Sequence, residues 1–265
     1  MTAKTAQFNL KSLKSKALPF ALPIITIVLV LVGGLVAYQR NFTKAGLSGG
    51  GSVTPTPTPL PANIIPLPKP DYRSSNSIEA VLKSRRTKRD LKADQLTLKQ
   101  VSQMLWAAQG VTSDWGGRTT PSAKSTYPLN AYLIANHVEK LENGLYQYVP
   151  GDRVMAHQLV PLKLANFQDA IYDITKQSSS KEPAALILIT GDMAKMAEAF
   201  GGTKHDEDVY LEAGHAAQNL YLQAESLKLG MVVTSSLDQN KLKNLLSIPV
   251  NETLIYLVPF GYPKE

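Results

Sequence analysis

The chain predicts an α+β sandwich, a small and mostly antiparallel sheet flanked by helices, behind one N-terminal transmembrane helix. Three observations carry this. Leu18–Ala37 runs 20 residues without a charge. Beyond Asp71, helical and strand-like apolar spacings alternate without the strict strand–helix–strand rhythm of a parallel sheet. One Asn-Gly pair, Asn143-Gly144, stands between two strand-like runs and reads as a hairpin turn.

Residues 1–17 form a basic segment with Lys4, Lys11, Lys14 and Lys16 and no acid. The uncharged run after it, at about 1.5 Å per residue, spans a hydrocarbon core of roughly 30 Å. Pro19 and Pro23 sit near its start, where a helix tolerates them best. A cleaved signal peptide is the competing reading. Its apolar region would be shorter, and Leu35-Val36-Ala37 lacks the small-x-small cleavage pattern. An uncleaved anchor over residues 18–38 is therefore favoured. Four lysines before the span against Arg40 and Lys44 after it place the N-terminus in the cytoplasm and the domain outside. Residues 39–70 are a linker: glycines from Gly46 to Gly51, then Thr-Pro repeats that favour extended polyproline II, a semi-rigid spacer.

The folded domain is expected over residues 71–265. Ile78, Val81 and Leu82 have helical spacing. Thr97 and Gln100 make a capping box ahead of Leu98, Val101, Met104 and Leu105, and Gly110 is placed to end that helix. Ala131–Val138 reads as a strand, with Leu145–Val149 returning beside it. Ala185–Thr190 is short and wholly apolar, suited to a buried strand. Glu207–Leu229 reads as a long helix ended by Gly230. Met231–Thr234 and Thr253–Val258 are strands, with a short helix near Gln239–Leu246 between them.

Charge and composition narrow the function. The net charge is +7, but residues 1–44 carry six cations and no acid, which leaves only +1 for the rest. A nucleic-acid binder would show its basic excess on the folded domain, so nucleic acid is not expected as a partner. The absence of cysteine excludes disulfides, thiolate catalysis and cysteine metal sites.

Within the domain, Lys83, Arg85, Arg86, Lys88 and Arg89 form a dense basic run. Taken alone it reads as a solvated face or a lipid-headgroup contact, yet arginine forks and the Thr87 hydroxyl also suit phosphate oxygens. Pro121-Ser122-Ala123 is a small-residue turn leading into a strand. In the long helix, Ala213, Gly214, Ala216, Ala217 and Ala224 give a small-residue face, whose natural use is close packing across a subunit interface. Glu212-x-x-His215 resembles half of a di-iron ligand set; that site needs two such copies and further carboxylates, and with one copy here no metal is expected. His205 beside Asp206, Glu207 and Asp208 reads as an acidic helix start.

Together, Arg85–Arg89, Pro121–Ala135 (PSAKSTYPLNAYLIA) and Tyr210–Met231 (YLEAGHAAQNLYLQAESLKLGM) resemble the nitroreductase family of FMN-dependent oxidoreductases. The nearest branch is that of the thiazole/oxazole-forming peptide dehydrogenases (SagB-type), whose Gly-Leu-Tyr-x-Tyr hairpin is matched by Gly144–Tyr148. The closing Val258-Pro259-Phe260-Gly261-Tyr262-Pro263 is similar to the family's ending. The resemblance implies a nitroreductase-like sandwich, an FMN cofactor and a homodimer. Arg85, Thr87 and Arg89 match an Arg-x-Ser-x-Arg/Lys pattern that holds the FMN phosphate and the pyrimidine side of its ring. Pro121, Ser122, Ala123 and Ser125 match a turn that lies against the ring, usually from the other subunit. Thr234, Ser235 and Ser236 match the segment whose backbone amides reach flavin N5.

Three departures from the family pattern narrow its implications. Lys124 replaces a glycine frequent in that branch, and either swings to solvent or places a cation in the pocket mouth. Some members continue to a C-terminal basic pair that also holds the phosphate, where this sequence has only Lys264. Azoline-oxidising relatives use a Lys-Tyr pair where this chain has Ala199-Phe200, which argues against that reaction. The resemblance thus implies two-electron transfer to or from a small organic substrate, with FMN carrying the chemistry and no catalytic side chain; the donor is not identified, NAD(P)H being cytoplasmic and a domain outside the membrane calling for a quinol unless the orientation is reversed. A flavin-free domain acting as a tethered interaction module is the alternative.

Overall fold

In the computed structural model, the described residues are 64–152 and 155–264. The basic segment 1–17, the anchor 18–38 and the linker to residue 63 lie outside them. Among the described residues, no helix is long and apolar enough to cross a membrane.

One antiparallel sheet organises the domain. Its strands are β1 (Ile65–Pro66), β2 (Leu129–Ala135), β3 (Gly144–Val149), β4 (Gln158–Leu164), β5 (Ala185–Asp192), β6 (Gly230–Met231) and β7 (Glu252–Gly261), in the order β1-β4-β3-β2-β5-β7-β6. The helices are α1 (Ile78–Ser84), α2 (Leu98–Gln109), α3 (Gln168–Thr175), α4 (Met193–Ala199), α5 (Asp206–Ser226) and α6 (Gln239–Leu246). Single 3₁₀ turns lie at Ala123–Ser125 and Ser178–Ser180.

The alternation of β5 explains its apolar run Ala185–Ile189. Ile187 and Ile189 enter a core shared with Met104 and Leu105 of α2 and Ala213, Ala216 and Leu220 of α5. Leu186 and Leu188 face the other way, into a smaller core with Ile171 of α3 and Leu242 and Leu246 of α6. A strand covered on both faces has no polar side to show. Each such side chain contributes about 1.5–3 kcal/mol through burial.

The capping box is present: Thr97 Oγ1 accepts from Gln100 N–H, and Gln100 Oε1 accepts from Thr97 N–H at 2.9 Å. Several sequence expectations are corrected. Gly144 is not a tight-turn residue. It pairs with Ala135 as the first residue of β3, where an added Cβ would meet the Lys163 carbonyl at 2.9 Å, so β2 and β3 are joined by the longer loop 136–143. Gly110 does end α2, its N–H bonding Trp106 O at 2.7 Å, but in extended geometry (φ −67°) and not left-handed, and its small size makes room for Trp106. α5 ends at Ser226, and the left-handed turn falls on Lys228 (φ 58°) and not on Gly230, which already belongs to β6. The small-residue face of α5 packs inside its own domain: Ala213, Ala216, Ala217 and Ala224 are buried, and only Gly214 opens outward.

Strand β4 and helices α3 and α4 are additions that the sequence patterns do not announce. The end of the expected linker also joins the fold. Ile65–Pro66 pairs with β4, Leu67 is buried, and Pro68 O accepts from Ser102 Oγ (2.6 Å) and His157 Nε2 (2.8 Å). Burial lowers the His157 pKa, keeping the ring neutral, and Tyr148 OH donates to its Nδ1 at 3.1 Å.

Candidate functional site

Helix α5 is 21 residues long, about 31 Å, and the candidate residues gather near its two ends. At the C-terminal end the organising side chain is Tyr221, which no sequence motif singles out. Its ring lies under the Arg85 guanidinium, 4.9 Å from carbon to centroid. Its hydroxyl is 3.2 Å from Thr87 Oγ1 and accepts from Val233 N–H at 3.2 Å. Lys88 N–H bonds Met231 O at 3.1 Å, and its ammonium is 3.6 Å from Glu225. The segment after α1 and the segment after β6 are therefore laced together over Tyr221.

The five cations of the basic run divide by role. Arg86 donates to the carbonyls of Lys83 and Arg85, closing the end of α1. Lys88 is paired with Glu225. Among the ion pairs of the described residues, none involves Arg85 or Arg89. Two forked cations and an exposed threonine hydroxyl thus face outward with donor capacity to spare, as an anionic ligand requires.

Arg89 and Thr234 line one cavity of about 340 Å³ with Gln177, Ser178, Ser179, Val232 and Val233. Nothing in the sequence pattern marks the loop 177–179 as part of it. Thr234 is fixed at both ends: its backbone N–H and C=O bond Leu257, and its hydroxyl accepts from Gln177 Nε2 at 2.7 Å. Its amide is therefore spent. Ser235 and Ser236 are exposed, and no hydrogen bond of the described residues uses their N–H groups. Of the three amides expected to serve a ligand, these two remain available.

Pro121, Ser122, Ala123 and Ser125 lie elsewhere, near the N-terminal half of α5. Their turn is strained: Lys124, Ser125 and Tyr127 have φ of 51°, 54° and 49°, left-handed values that L side chains resist. The strain is held by ties to Tyr127. Its N–H donates to Ser122 Oγ at 2.8 Å, and its carbonyl accepts from Lys195 Nζ of α4 at 3.0 Å. Its hydroxyl accepts from Arg118 N–H at 3.3 Å, and the Arg118 guanidinium lies 4.8 Å from its ring. Lys124 neither swings free nor points into a pocket. Its ammonium donates to Ala199 O at 3.0 Å and sits 4.0 Å from the Phe200 ring, which stacks on His205.

Beneath this turn lies Glu212, 2% exposed, with both carboxyl oxygens buried, no partner at full hydrogen-bond geometry, and Ser122 and Gln109 as its nearest neutral donors. Burial raises its pKa from 4.5 to about 7, opposed in part by Ser122, Arg118, Gln109 and Lys195. His215 is exposed while Glu212 is buried, so the two do not form a shared ligand pair. His205 is engaged with Asp208 at 3.0 Å, in keeping with a helix-start role. No group of metal-ligating residues forms among the described residues.

The ten candidate residues therefore fall into two sets. Glu212, under the turn, and Tyr221, under the basic run, are nine positions apart, about 13 Å along α5. One set offers free cations and amides; the other offers a shaped, small-residue surface. FMN, with a dianionic phosphate and a flat ring, fits the donor chemistry of the first and the form of the second. Within one chain the two stand apart.

A family model, described as the nitroreductase family, matches residues 82–262. A nitroreductase homologue of Methanocaldococcus jannaschii is 33% identical over 196 residues, covering 71% of this chain and 92% of that protein. Among solved structures, a nitroreductase homologue of Ralstonia eutropha JMP134 is 27% identical with a TM-score of 0.65, over 76% of this chain and 90% of the other. One from Anabaena variabilis ATCC 29413 is 26% identical with a TM-score of 0.61; the match covers 71% of this chain but 38% of that longer one. The NADPH:FMN oxidoreductase of Vibrio harveyi, at 15% identity and a TM-score of 0.51 over 72% of this chain and 70% of its own, shares the fold. With the family model spanning residues 82–262 and a relative 33% identical over 196 residues, the chain belongs to the nitroreductase family.

Proposed function

We propose that this chain is an FMN-dependent oxidoreductase that works as a homodimer, each flavin held between the basic set of one protomer and the Pro121–Ser125 turn of the other. The observation that carries it is the unpaired state of Arg85 and Arg89 beside the Thr87 hydroxyl and the unused amides of Ser235 and Ser236. Arg85, Thr87 and Arg89 would hold the phosphate and the pyrimidine edge, and the two serine amides the ring nitrogen. Bound FMN would supply two-electron transfer to or from a small organic substrate. The protein's part is to bind, orient and shield.

Dimerisation is supported by what the domain leaves uncovered. Leu211 (62% exposed) and Tyr210 of α5 and Ile78 and Leu82 of α1 are open apolar surface. The electron donor is NAD(P)H or a quinol; a domain outside the membrane, tethered by residues 18–38, favours the quinol. Kinship to the thiazole/oxazole-forming (SagB-type) branch is part of the proposal, without its azoline chemistry, since Ala199 and Phe200 stand against the turn where the Lys-Tyr pair would be.

The test is spectroscopic. The full chain, purified with FMN, should show flavin absorbance bands that an Arg85→Ala/Arg89→Ala variant lacks. Absence of flavin from the unaltered protein, even at micromolar FMN, would move the function to a flavin-free, tethered interaction module.

A further inference from the structure

Binding and shielding of FMN make no use of the most deeply buried acid near the site. We propose that Glu212 is a positioning residue for the Pro121–Tyr127 turn: neutral, it lets the turn stay closed against the flavin ring, and ionised, it pulls the turn apart. This rests on the FMN reading.

The geometry is a competition for two cations. Glu212 is faced by Gln109 from α2, by Arg118 from the loop after it, by Ser122 from the turn and by Lys195 from α4. Both cations are already engaged. Arg118 Nη1 donates to Gln109 Oε1 at 2.9 Å while its guanidinium covers Tyr127, and Lys195 Nζ holds the Tyr127 carbonyl. Tyr148, the other titratable group around Arg118, is kept neutral by burial. His215 of α5 itself is exposed and is not among the groups that act on Glu212.

While Glu212 is a neutral acid it makes no strong claim on either cation. A buried carboxylate does, because charges attract far more strongly there than in water and the neutral donors beside it, Ser122 and Gln109, supply no countercharge. It can be satisfied by drawing Arg118 or Lys195 toward itself, and both are ties of Tyr127. A tyrosine at φ 49° keeps that conformation only while its surroundings over-determine it. Loss of one tie therefore reaches the turn directly. Burial places the Glu212 titration at about 7, so the change falls near neutrality.

The experiment compares the full-length protein with Glu212→Gln, which keeps the shape and removes the charge. Amide exchange of residues 121–127 is followed without cofactor at about pH 6 and pH 8, corrected for intrinsic exchange, and the FMN dissociation constant is measured at both. In the unaltered protein, protection of this segment should fall about tenfold at the higher pH and FMN should bind about tenfold more weakly. E212Q should hold its protection, and its affinity should follow only the titration of the FMN phosphate, which both proteins share. An equal pH response in the two proteins overturns the proposal, as does a loss of protection spread over the whole domain. If neither protein binds FMN at either pH, the flavin reading fails, while exchange at 121–127 still decides the role of Glu212. Should E212Q not fold, the unaltered protein alone decides: a pH-dependent loss confined to 121–127 supports the proposal, and its absence sinks it.

Discussion

The two ends of α5 solve opposite problems with the same helix. At the C-terminal end, Tyr221 gathers Arg85, Thr87 and Val233, and the charges that matter are open and unpaired. At the N-terminal end everything is committed: Arg118, Lys195, Ser122 and Lys124 are each tied to a named partner, three residues are held at positive φ, and one carboxyl is sealed beneath. The first end can give binding energy without harm to the fold. The second gives shape, and its shape depends on the fold. Substitutions of the open cations at the first should therefore change affinity and spare stability, whereas those at the second should move both.

The largest effect is expected at the open end. Each charge-assisted hydrogen bond is worth about 1.5–3 kcal/mol, so R85A/R89A should weaken FMN binding by about 10²-fold or more. Its melting temperature should stay within a few degrees of the original, because neither guanidinium has a carboxylate partner to strand. A large loss of stability in this variant would break the comparison.

Next comes the sealed acid. An unfolded Glu212 ionises near 4.5 and the folded one at about 7. Below 4.5 both states keep the proton and nothing is lost. As pH rises from there to 7 the unfolded chain releases it first, so stability falls across that window, by about 3 kcal/mol in all. E212Q should abolish this fall and be more stable than the parent above neutrality, as denaturant unfolding at a series of pH values will show.

Tyr221→Phe is a smaller break. It removes the acceptor of Val233 N–H and the partner of Thr87, at a cost of about 1 kcal/mol in stability and about tenfold in FMN affinity. Smallest are the glycine substitutions at positive φ. Lys228→Gly, beyond the end of α5 where the side chain is exposed, should stabilise by about 0.5–1 kcal/mol. Lys124→Gly should gain less, since it also forfeits the Ala199 hydrogen bond and the Phe200 contact. Thermal scans of the pair measure the difference in how the two ends use strain.

The contrast also marks what is legible in the sequence. The long helix, the buried strand β5, α6 and the capping box follow from apolar period and cap chemistry, which are local. Gly144 and Gly230 mislead because a glycine is needed for close backbone approach as well as for positive φ, and only tertiary structure tells the two apart. The small face of α5 suggests a subunit interface because a helix pattern reports that a face is packed but not against what. Strand β4 stays hidden, its run Leu159-Val160-Pro161-Leu162-Lys163 broken by a proline near the edge of the sheet. At the site, the basic run and the Pro-Ser turn stand out in composition. Tyr221, Gln177 and Arg118 do not, since each matters only through neighbours distant in sequence.

The claim that the site is divided between the ends of α5 and completed by a second copy is tested most directly by complementation. R85A/R89A keeps its turn and loses its cations; Ser122→Trp keeps its cations and blocks its turn. Each alone should bind no FMN. Co-expressed at equal levels as full chains, half of the random dimers are mixed, and each mixed dimer regains one intact site, restoring roughly a quarter of all sites. Flavin recovered at that level is the predicted result. No flavin above that of the separate variants, in dimers shown to be mixed, would contradict the account.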